Sequence, residues 1–448
     1  MTLLIGSFLA ALLSSPGMDQ THPGKKFLLS SEFTTPSFTL GAYQSLWKSW
    51  GLAKPPSPEE FSNILSSRYG LHRAPYENHG LPMGLKMASF PLTLGTVQGI
   101  AMDCLICHGG LLDGKPVIGL GNNSLDLQTF FEDFHRAEGN KGPMRFRFSN
   151  TKGTNEAGAV SVFLAGFRNP DLSLKPKWEN LGLRDVLCED VPPWWNLKKK
   201  KTMYFTGGAD ARSVRSIMQF MMSPINPPAH FEKNEVNFAK LQQFMHTLTP
   251  PKYPFPIDQS LALLGNSLFK DHCSKCHGTY GPNGVYPNKI VALKEIGTDP
   301  ARFLGISREF ALFYNSSWFS KEKQGWAGDE YKARDTEGYQ APPLDGIWAT
   351  APYFHNGSVP SLLAVLKPQA RPKRFQRDFE NRLDQYDRKN LGWGFTQPPG
   401  QANPGLDPLE SRKIYDTTLP GRSNQGHLFG EILNDAQRYA ILEYLKTL

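Results

Sequence analysis

The sequence predicts a mainly α-helical protein of two tandem domains, each enlarged by long irregular insertions. Three observations support this prediction. The pattern C-x-x-C-H occurs twice in the 448 residues, at 104–108 and 273–277. Apolar residues at helical spacing accompany each copy. A proline-rich extended stretch over residues 249–256 separates the two halves. We therefore expect a first domain over residues 21–252 and a second over residues 253–448.

The two C-x-x-C-H motifs indicate two covalently bound c-type haems. The chain has five cysteines, and chance would place roughly 0.001 copies of the motif in a sequence of this composition. In this chemistry two thiols form thioethers to the haem and the adjacent histidine binds its iron. The predicted attachment residues are Cys104, Cys107, His108, Cys273, Cys276 and His277. A single zinc site shared by the cysteine pairs is the alternative, but zinc does not require a histidine after each pair.

Helical patterns next to the motifs predict a class I cytochrome c-like arrangement in each domain. The segment before the second motif has an apolar face of Leu261, Leu264, Leu268 and Phe269. A closing helix capped by Asn434 has a second face of Ile441, Tyr444, Leu445 and Leu448. We expect these two helices to cross at Gly265. The first domain ends similarly, with Leu241, Phe244, Met245 and Leu248 before two prolines.

Composition and the N-terminus favour an exported protein. Residues 1–20 contain an apolar run of signal-peptide length, although no basic residue precedes it. No other segment is apolar and long enough for a transmembrane helix. The net charge of +8 suits an acidic protein partner, and no nucleic-acid motif accompanies it. We expect a periplasmic or secreted protein, a solvated loop at Lys198–Lys201, and a buried, unreactive Cys188.

Residues 341–366, APPLDGIWATAPYFHNGSVPSLLAVL, resemble the A-P-Y-x-H-[DN]-G-S segment of the dihaem cytochrome c peroxidase superfamily. The stretches at 81–86, 192–195 and 423–430 are most similar to its rubber oxygenase A branch. The resemblance implies an oxidoreductase with a reactive first haem and a second haem that relays electrons. Some relatives also hold a calcium ion between their domains, but no motif for calcium is present here.

The second haem has few candidates for its other axial ligand. No methionine follows Met245, so the methionine ligand usual in the peroxidases is excluded. Four histidines lie in this half. His277 is proximal, His272 adjoins a haem cysteine, and His355 belongs to the H-N-G motif, which in the family lies near the haem edge. His427 remains, and the resemblance also implies a ligand in this region. A surface-loop histidine is the alternative.

The first haem is less determined by the sequence. The candidates for a distal ligand are Met83, Met87, His79, His135 and His230. The resemblance implies instead an open iron position that admits peroxide or dioxygen. It also implies that a tryptophan lies between the haems. Of Trp194 and Trp195 we select Trp195, with core packing as the alternative. We also assign a role to His355, either at a haem propionate or in controlling electron flow.

Two classes of function fit these features. The first is an exported dihaem oxidoreductase that activates dioxygen or peroxide at the first haem and takes electrons from a small redox partner protein. The second is a dihaem electron carrier without substrate chemistry. The long insertions favour the first class, because lone carriers tend to be compact. The missing methionine favours oxygenase-type chemistry over a cytochrome c peroxidase.

Overall fold

A computed structural model describes residues 21–92, 95–184, 187–322, 331–398 and 407–448. The predicted signal peptide, residues 1–20, lies outside the described residues. Among the helices that the structure describes, none combines the length and apolarity needed to cross a membrane.

Most helices are short, and the two longest, of 20 and 14 residues, are the helix that ends the first half and the helix that leads into the second motif. In the described residues the α-helices are α1 (Pro23–Ser30), α2 (Leu40–Ser45), α3 (Pro58–Tyr69), α4 (Leu105–His108), α5 (Leu127–Ala137), α6 (Ala157–Ala165), α7 (Val214–Ile217), α8 (Pro228–Thr247), α9 (Gln259–His272), α10 (Ser274–His277), α11 (Leu293–Ile296), α12 (Ala301–Leu304), α13 (Arg308–Ser316), α14 (Leu362–Leu366), α15 (Pro408–Arg412) and α16 (Asp435–Leu445). Short 3₁₀ helices lie at Leu46–Trp50, Trp194–Lys199, Met218–Met221, Trp318–Ser320, Ile347–Ala349, Pro368–Ala370, Leu383–Gln385 and Leu428–Gly430.

The strands form small antiparallel sheets. They are β1 (Phe38–Thr39), β2 (Leu85–Leu92), β3 (Gly95–Met102), β4 (Gly109–Leu112), β5 (Lys115–Ile118), β6 (Thr202–Met203), β7 (Ala209–Asp210), β8 (Ile290–Ala292), β9 (Gly338–Gln340), β10 (Arg374–Arg377), β11 (Tyr386–Asp387), β12 (Gly392–Trp393), β13 (Phe395–Thr396) and β14 (Ile414–Asp416). Two sheets have three strands, ordered β1-β3-β2 and β13-β10-β14, and the other sheets of the described chain are two-stranded pairs.

The predicted fold class, mainly α-helical with two tandem class I cytochrome c-like domains, is therefore wrong. The regions taken as irregular insertions contain the sheets. One hydrophobic core also joins the two halves, because it includes Leu28, Trp195, Phe269 and Trp348. Helical periodicity marks amphipathic helices well, whereas strands of two to four residues, the length of every described strand except β2 and β3, leave almost no periodic signal. The boundary between residues 252 and 253 stays a prediction.

The expected crossing of α9 and α16 at Gly265 is confirmed. A Cβ atom on Gly265 would lie 1.9 Å from the carbonyl oxygen of Ala440, so only glycine allows this approach of the two backbones. Asn434 caps α16 as predicted, and its side-chain oxygen accepts from the N–H of Gln437 at 3.0 Å. Leu264 does not face α16 and is 53% exposed, because α9 turns Ala262, Gly265 and Phe269 toward it.

The first half contains a similar contact between α1 and α8. A Cβ atom on Gly24 would lie 1.9 Å from the carbonyl oxygen of Lys240. The predicted apolar face of α8 is confirmed, since Leu241, Phe244 and Met245 are buried and Leu248 follows them into the core. This helix packs against the 3₁₀ helix at Trp194–Lys199. That contact places the tryptophan pair close to the first motif.

Hydrogen bonds between residues far apart in sequence fasten the first motif's surroundings to the second half. The side-chain amide of Asn123 donates to the carbonyl of Ala351 at 2.6 Å, across 228 positions of sequence. The amide of Asn381 donates to the carbonyl of Leu111 at 3.0 Å and to Asn123 Oδ1 at 2.9 Å. The guanidinium of Arg377 also donates to the carbonyl of Asn123. The hairpin of β4 and β5 is therefore held by residues from beyond position 350.

Replacing Gly265 by alanine should lower the free energy of unfolding by about 3 kcal/mol, because the added methyl group must push α9 away from Ala440. Chemical denaturation followed by circular dichroism measures the change. Ser267→Ala, on the exposed side of the same helix, is the matched control and should change stability by less than about 0.5 kcal/mol. Equal stability of Gly265→Ala and the control would contradict the close crossing.

Candidate functional site

A buried ion pair positions the first C-x-x-C-H motif. Oδ1 of Asp103 accepts from the backbone N–H of Leu105 at 2.7 Å and so fixes the first turn of α4. The other carboxylate oxygen lies 3.2 Å from Nζ of Lys86, and both side chains are almost fully buried. The Lys86 ammonium also donates to the carbonyls of Leu28 and Ser31. An ammonium with several acceptors compensates the buried carboxylate, so this pair holds the motif against the strand β2.

His108 lies with one ring face against a tryptophan. The centroids of the His108 and Trp194 rings are 4.9 Å apart with 29° between their planes. Burial lowers the pKa of His108 to about 4, and the nearby Pro192 carbonyl opposes this shift. The imidazole is therefore neutral near pH 7, which is the form that binds a metal.

The candidates for a distal ligand at the first motif are scattered. Met83 is closest: a Cβ atom on Gly109, the residue after His108, would lie 3.0 Å from its sulfur. His79 is exposed on a loop, and His230 starts α8 near the Phe33 backbone. His135 lines a separate pocket. Met87 lies on β2 and packs against the smaller core that also contacts Cys107.

The second motif ends α9 and continues into α10. Nδ1 of His277 lies 2.9 Å from the carbonyl oxygen of Pro342. A carbonyl only accepts, so Nδ1 must carry the proton and Nε2 keeps its lone pair free for a metal. The hydroxyl of Tyr280 donates to the His277 carbonyl at 3.0 Å and accepts from the Leu344 N–H at 2.7 Å. Residues 342–344 thus fix the ring from one side.

His427 faces His277. Their ring centroids are 6.3 Å apart with 55° between the planes. With each nitrogen about 2 Å from a metal and roughly 1.1 Å from its ring centre, two imidazoles on opposite sides of one iron have centroids about 6.2 Å apart. Burial lowers the pKa of His427 to about 3, and the neighbouring His277 and Arg371 act in the same direction. Both rings are therefore neutral and fit the two axial positions of one haem.

The loop that carries His427 is held in a constrained conformation. His427 has φ 51°, a region that non-glycine residues rarely adopt, and its N–H donates to the Ile296 carbonyl at 2.6 Å. The guanidinium of Arg371 donates to the carbonyls of Asn424 at 2.6 Å and Gly426 at 2.8 Å. It also donates to the Ala364 carbonyl at 2.9 Å. Arg371 therefore fastens this loop to α14 and orients the histidine.

The cysteines of the motifs fit haem attachment better than a shared zinc site. Within the described chain, no three His, Cys, Asp or Glu side chains come together to hold a metal ion. Burial raises the pKa of the Cys104, Cys107 and Cys273 thiols to about 12, the opposite of a reactive C-x-x-C pair. Cys188 is fully buried with its pKa raised to about 11, in agreement with the predicted unreactive residue.

The tryptophan pair connects the two motifs. Trp194 stacks on His108, whereas Trp195 is buried and donates from Nε1 to the Asp345 carbonyl at 2.8 Å. The next residue, Asn196, donates to the Pro343 carbonyl at 3.0 Å. The sequence selected Trp195 alone. The structure places the other tryptophan against the first histidine and Trp195 against the segment that holds the second.

The ring of His355 packs against Tyr339, whereas the preceding residue, Phe354, has its ring 5.9 Å from that of His427. The His355 ring stacks on Tyr339 at 4.2 Å, and the His355 carbonyl accepts from the Asp190 N–H at 2.7 Å. Burial lowers the pKa of His355 to about 3, with Arg302 contributing, and Nε2 has no hydrogen bond within the described residues. The predicted role of His355, at a haem propionate or in electron flow, stays a prediction.

The basic run is only in part the solvated loop that its composition indicated. Lys198 and Lys201 are exposed, although Lys198 also donates to the Leu248 carbonyl at 3.0 Å. Lys199 pairs with Asp345 at 2.7 Å. Burial lowers the pKa of Lys200 to about 8. The basic run directly follows the tryptophan pair, and Lys199 binds Asp345 in the loop that also contacts His277.

Sequence reasoning missed several positioning residues. The Lys86–Asp103 pair, Arg371 and the Pro342 carbonyl have partners that are distant in sequence or lie in the backbone, so no local pattern marks them. Buried His72 was also overlooked. Its Nδ1 lies 3.0 Å from the Ser66 hydroxyl, and its carbonyl accepts from the Met83 N–H at 2.8 Å.

Comparisons with known proteins link this site to c-type cytochromes. A family model described as RoxA-like, cytochrome c-like matches residues 338–376, which include Pro342, His355 and Arg371. This match supports the RoxA-like part of the predicted resemblance and covalently bound haem c. The match does not support the predicted assignment to the wider dihaem peroxidase superfamily.

Two curated relatives come from Sinorhizobium fredii. The uncharacterized protein y4iM is 29% identical over 291 residues, which cover 58% of this chain and 64% of the relative. The uncharacterized protein y4iJ is 30% identical over 262 residues, covering 45% of this chain and 41% of the relative. The aligned part thus spans less than two thirds of either relative's length.

Proposed function

We propose that the chain is an exported dihaem c-type cytochrome oxidoreductase. One haem is attached at Cys104 and Cys107 with His108 as its proximal ligand, and the other at Cys273 and Cys276. His277 and His427 would hold the second haem, which would supply electron transfer. His108 would hold the first haem, which would supply chemistry on dioxygen or peroxide. A small redox partner protein supplies the electrons.

The observation that carries this proposal is the facing pair of imidazoles 6.3 Å apart. Burial lowers the pKa of both rings and keeps them neutral, and the Pro342 carbonyl leaves Nε2 of His277 free, so the two side chains could both bind one iron. The strained His427 backbone and the Arg371 brace supply a reason for the position of the second ring, because such strain persists only where surrounding contacts enforce it. A surface-loop histidine would need neither device.

Bound haem supplies a redox-active iron that exchanges electrons and, at an open position, accepts a small oxidant. Electron exchange and binding of an oxidant would fall to different sites. At the second site, the imidazoles of His277 and His427 would leave no position for an oxidant. At the first site, Trp194 covers one face of His108 and leaves the imidazole neutral and oriented.

The segment from Trp194 to Asn196 provides the proposed connection between the sites. The indole of Trp194 touches the first proximal histidine, and its neighbour Trp195 hydrogen-bonds the loop whose Pro342 carbonyl fixes the second. Short through-bond and van der Waals steps of this kind suit electron passage. Both tryptophans therefore take part in the proposed relay, with Trp195 on the side of the second haem.

A second candidate function is an electron carrier without substrate chemistry. Met83 favours it, because its sulfur lies against Gly109, directly after the first proximal histidine. A thioether bond to the first iron would fill the position that an oxidant needs. The two functions differ in whether the Met83 sulfur would bind the first iron or leave that position open to an oxidant.

Intact mass after acid denaturation should show two haems retained per chain, because thioether bonds survive unfolding. Replacing both Cys104 and Cys107 by alanine should remove one haem, and replacing Cys273 and Cys276 should remove the other. Cys188→Ala is the matched control and should keep both. A mass equal to the bare polypeptide, or stoichiometric zinc, would overturn the proposal.

His427→Ala should convert one low-spin ferric signal to high spin in electron paramagnetic resonance, because one iron loses its second imidazole. His355→Ala, a change at another buried histidine of the same half, should leave that signal unchanged. The assignment of His427 is wrong if the second variant alters the spectrum and the first does not.

Carbon monoxide should bind the ferrous protein at one haem only, because the second site has two histidine ligands. Met83→Leu, which conserves volume, should leave the extent of binding unchanged. No binding in the unmodified protein, together with a near-infrared thioether band that disappears in Met83→Leu, would establish the electron-carrier function instead.

A further inference from the structure

The pocket that His135 lines contains no residue of either motif and lies between the two halves of the chain. It has a volume of about 510 Å³, within the range typical of small-molecule sites. One wall is α5, with Gln128, Glu132 and His135. The opposite wall comes from Arg412 and Arg422 of the second half. An occupant would therefore touch both halves of the molecule.

The lining carries more positive than negative charge. Four arginines face the pocket, and Glu132 is the one acidic residue among the described lining side chains. Arg412 is neutralised by Glu132, at 3.1 Å, and Arg136 by Asp133 on α5. Arg147 and Arg422 have no such partner within the described part of the chain. Two positive charges thus remain for an occupant.

Arg422 is the residue that distinguishes this pocket from a solvated basic surface. Arg422 as a whole residue is only 6% exposed, and its Nε has no hydrogen bond within the described residues. A buried, unpaired guanidinium is costly, because the charge loses its water without a compensating acceptor. An anion bound in the pocket would supply that acceptor in the two-pronged geometry that arginine favours.

The remaining wall is apolar. Met144 and Phe148 line it, and Phe148 is held by stacking on Phe131 at 4.8 Å and by its N–H, which donates to Gln128 at 2.7 Å. An inorganic ion alone would leave this wall in contact with water. A ligand with an anionic group at one end and an apolar body at the other matches both features.

We propose that this pocket binds a small organic anion, whose carboxylate or phosphate contacts Arg422 and Arg147 and whose apolar body packs on Met144 and Phe148. This site is independent of the proposed haem chemistry. Loss of haem function and loss of anion binding would therefore be separate results.

Calorimetry on the full haem-loaded protein tests the site with three probes of similar size: 3-phenylpropionate, phenyl phosphate and the neutral 3-phenylpropan-1-ol. At least one aromatic anion should bind, and whichever binds more tightly identifies the anionic group. The alcohol should bind at least about tenfold more weakly, because it forms no charged hydrogen bonds. No binding of either anion, or equal binding of the alcohol, overturns the proposal.

Arg422→Gln should weaken binding of the preferred anion at least about tenfold. Arg147→Gln, at an exposed position that folding tolerates, should also weaken it and decides the matter if Arg422→Gln does not fold. Arg145→Gln is the matched control, since Arg145 lies on the same loop but outside the lining, and it should bind as the unmodified protein does. Unchanged binding in both test variants, or equal weakening by the control, overturns the proposal.

Discussion

The carbonyl groups of residues 342–345 are the constraint on which the arrangement of the site depends. Pro342 fixes His277, Pro343 holds Asn196, and Asp345 holds Trp195. Pro342 and Pro343 have no N–H, so their backbone units offer only acceptors and bind donors from other parts of the chain. The same loop therefore sets the tautomer of one histidine and the position of the tryptophan pair that covers another.

The opposite side of the second site depends on backbone strain rather than on packing. His427 occupies a left-handed conformation, and Gly426 before it approaches the backbone of residues 296–298 so closely that a Cβ atom would lie 2.3 Å from the Gly297 carbonyl carbon. Arg371 compensates by donating to several carbonyls at once. Fixing the ring from the backbone leaves the imidazole neutral and free of side-chain partners that would compete for its nitrogen.

The sequence predicted those features whose signals are local. The paired motifs, the apolar face of α8, the Asn434 cap and the glycine crossing at Gly265 all follow from residue type at fixed spacing. His427 could be selected by elimination because the second half lacks methionine. Most of the sheets, the core shared by the two halves and the Lys86–Asp103 pair could not be predicted, because they depend on strands too short to show alternation or on contacts between residues far apart. The solvated-loop interpretation of Lys198–Lys201 missed the ion pair of Lys199, because its partner Asp345 is 146 positions away.

The hydrogen bonds of Asn123 and Asn381 have a consequence for the order of assembly. Contacts that span more than 200 positions form late, because the chain must close a very long loop before they can contribute. The hairpin of β4 and β5 can pair locally, but its hydrogen bonds to the second half wait until residues 351 and 381 have been synthesised. Cys104 and Cys107, which are half-buried in the folded protein, are more accessible during that interval. A haem-attaching enzyme would thus reach the first motif before the second half has packed against its surroundings.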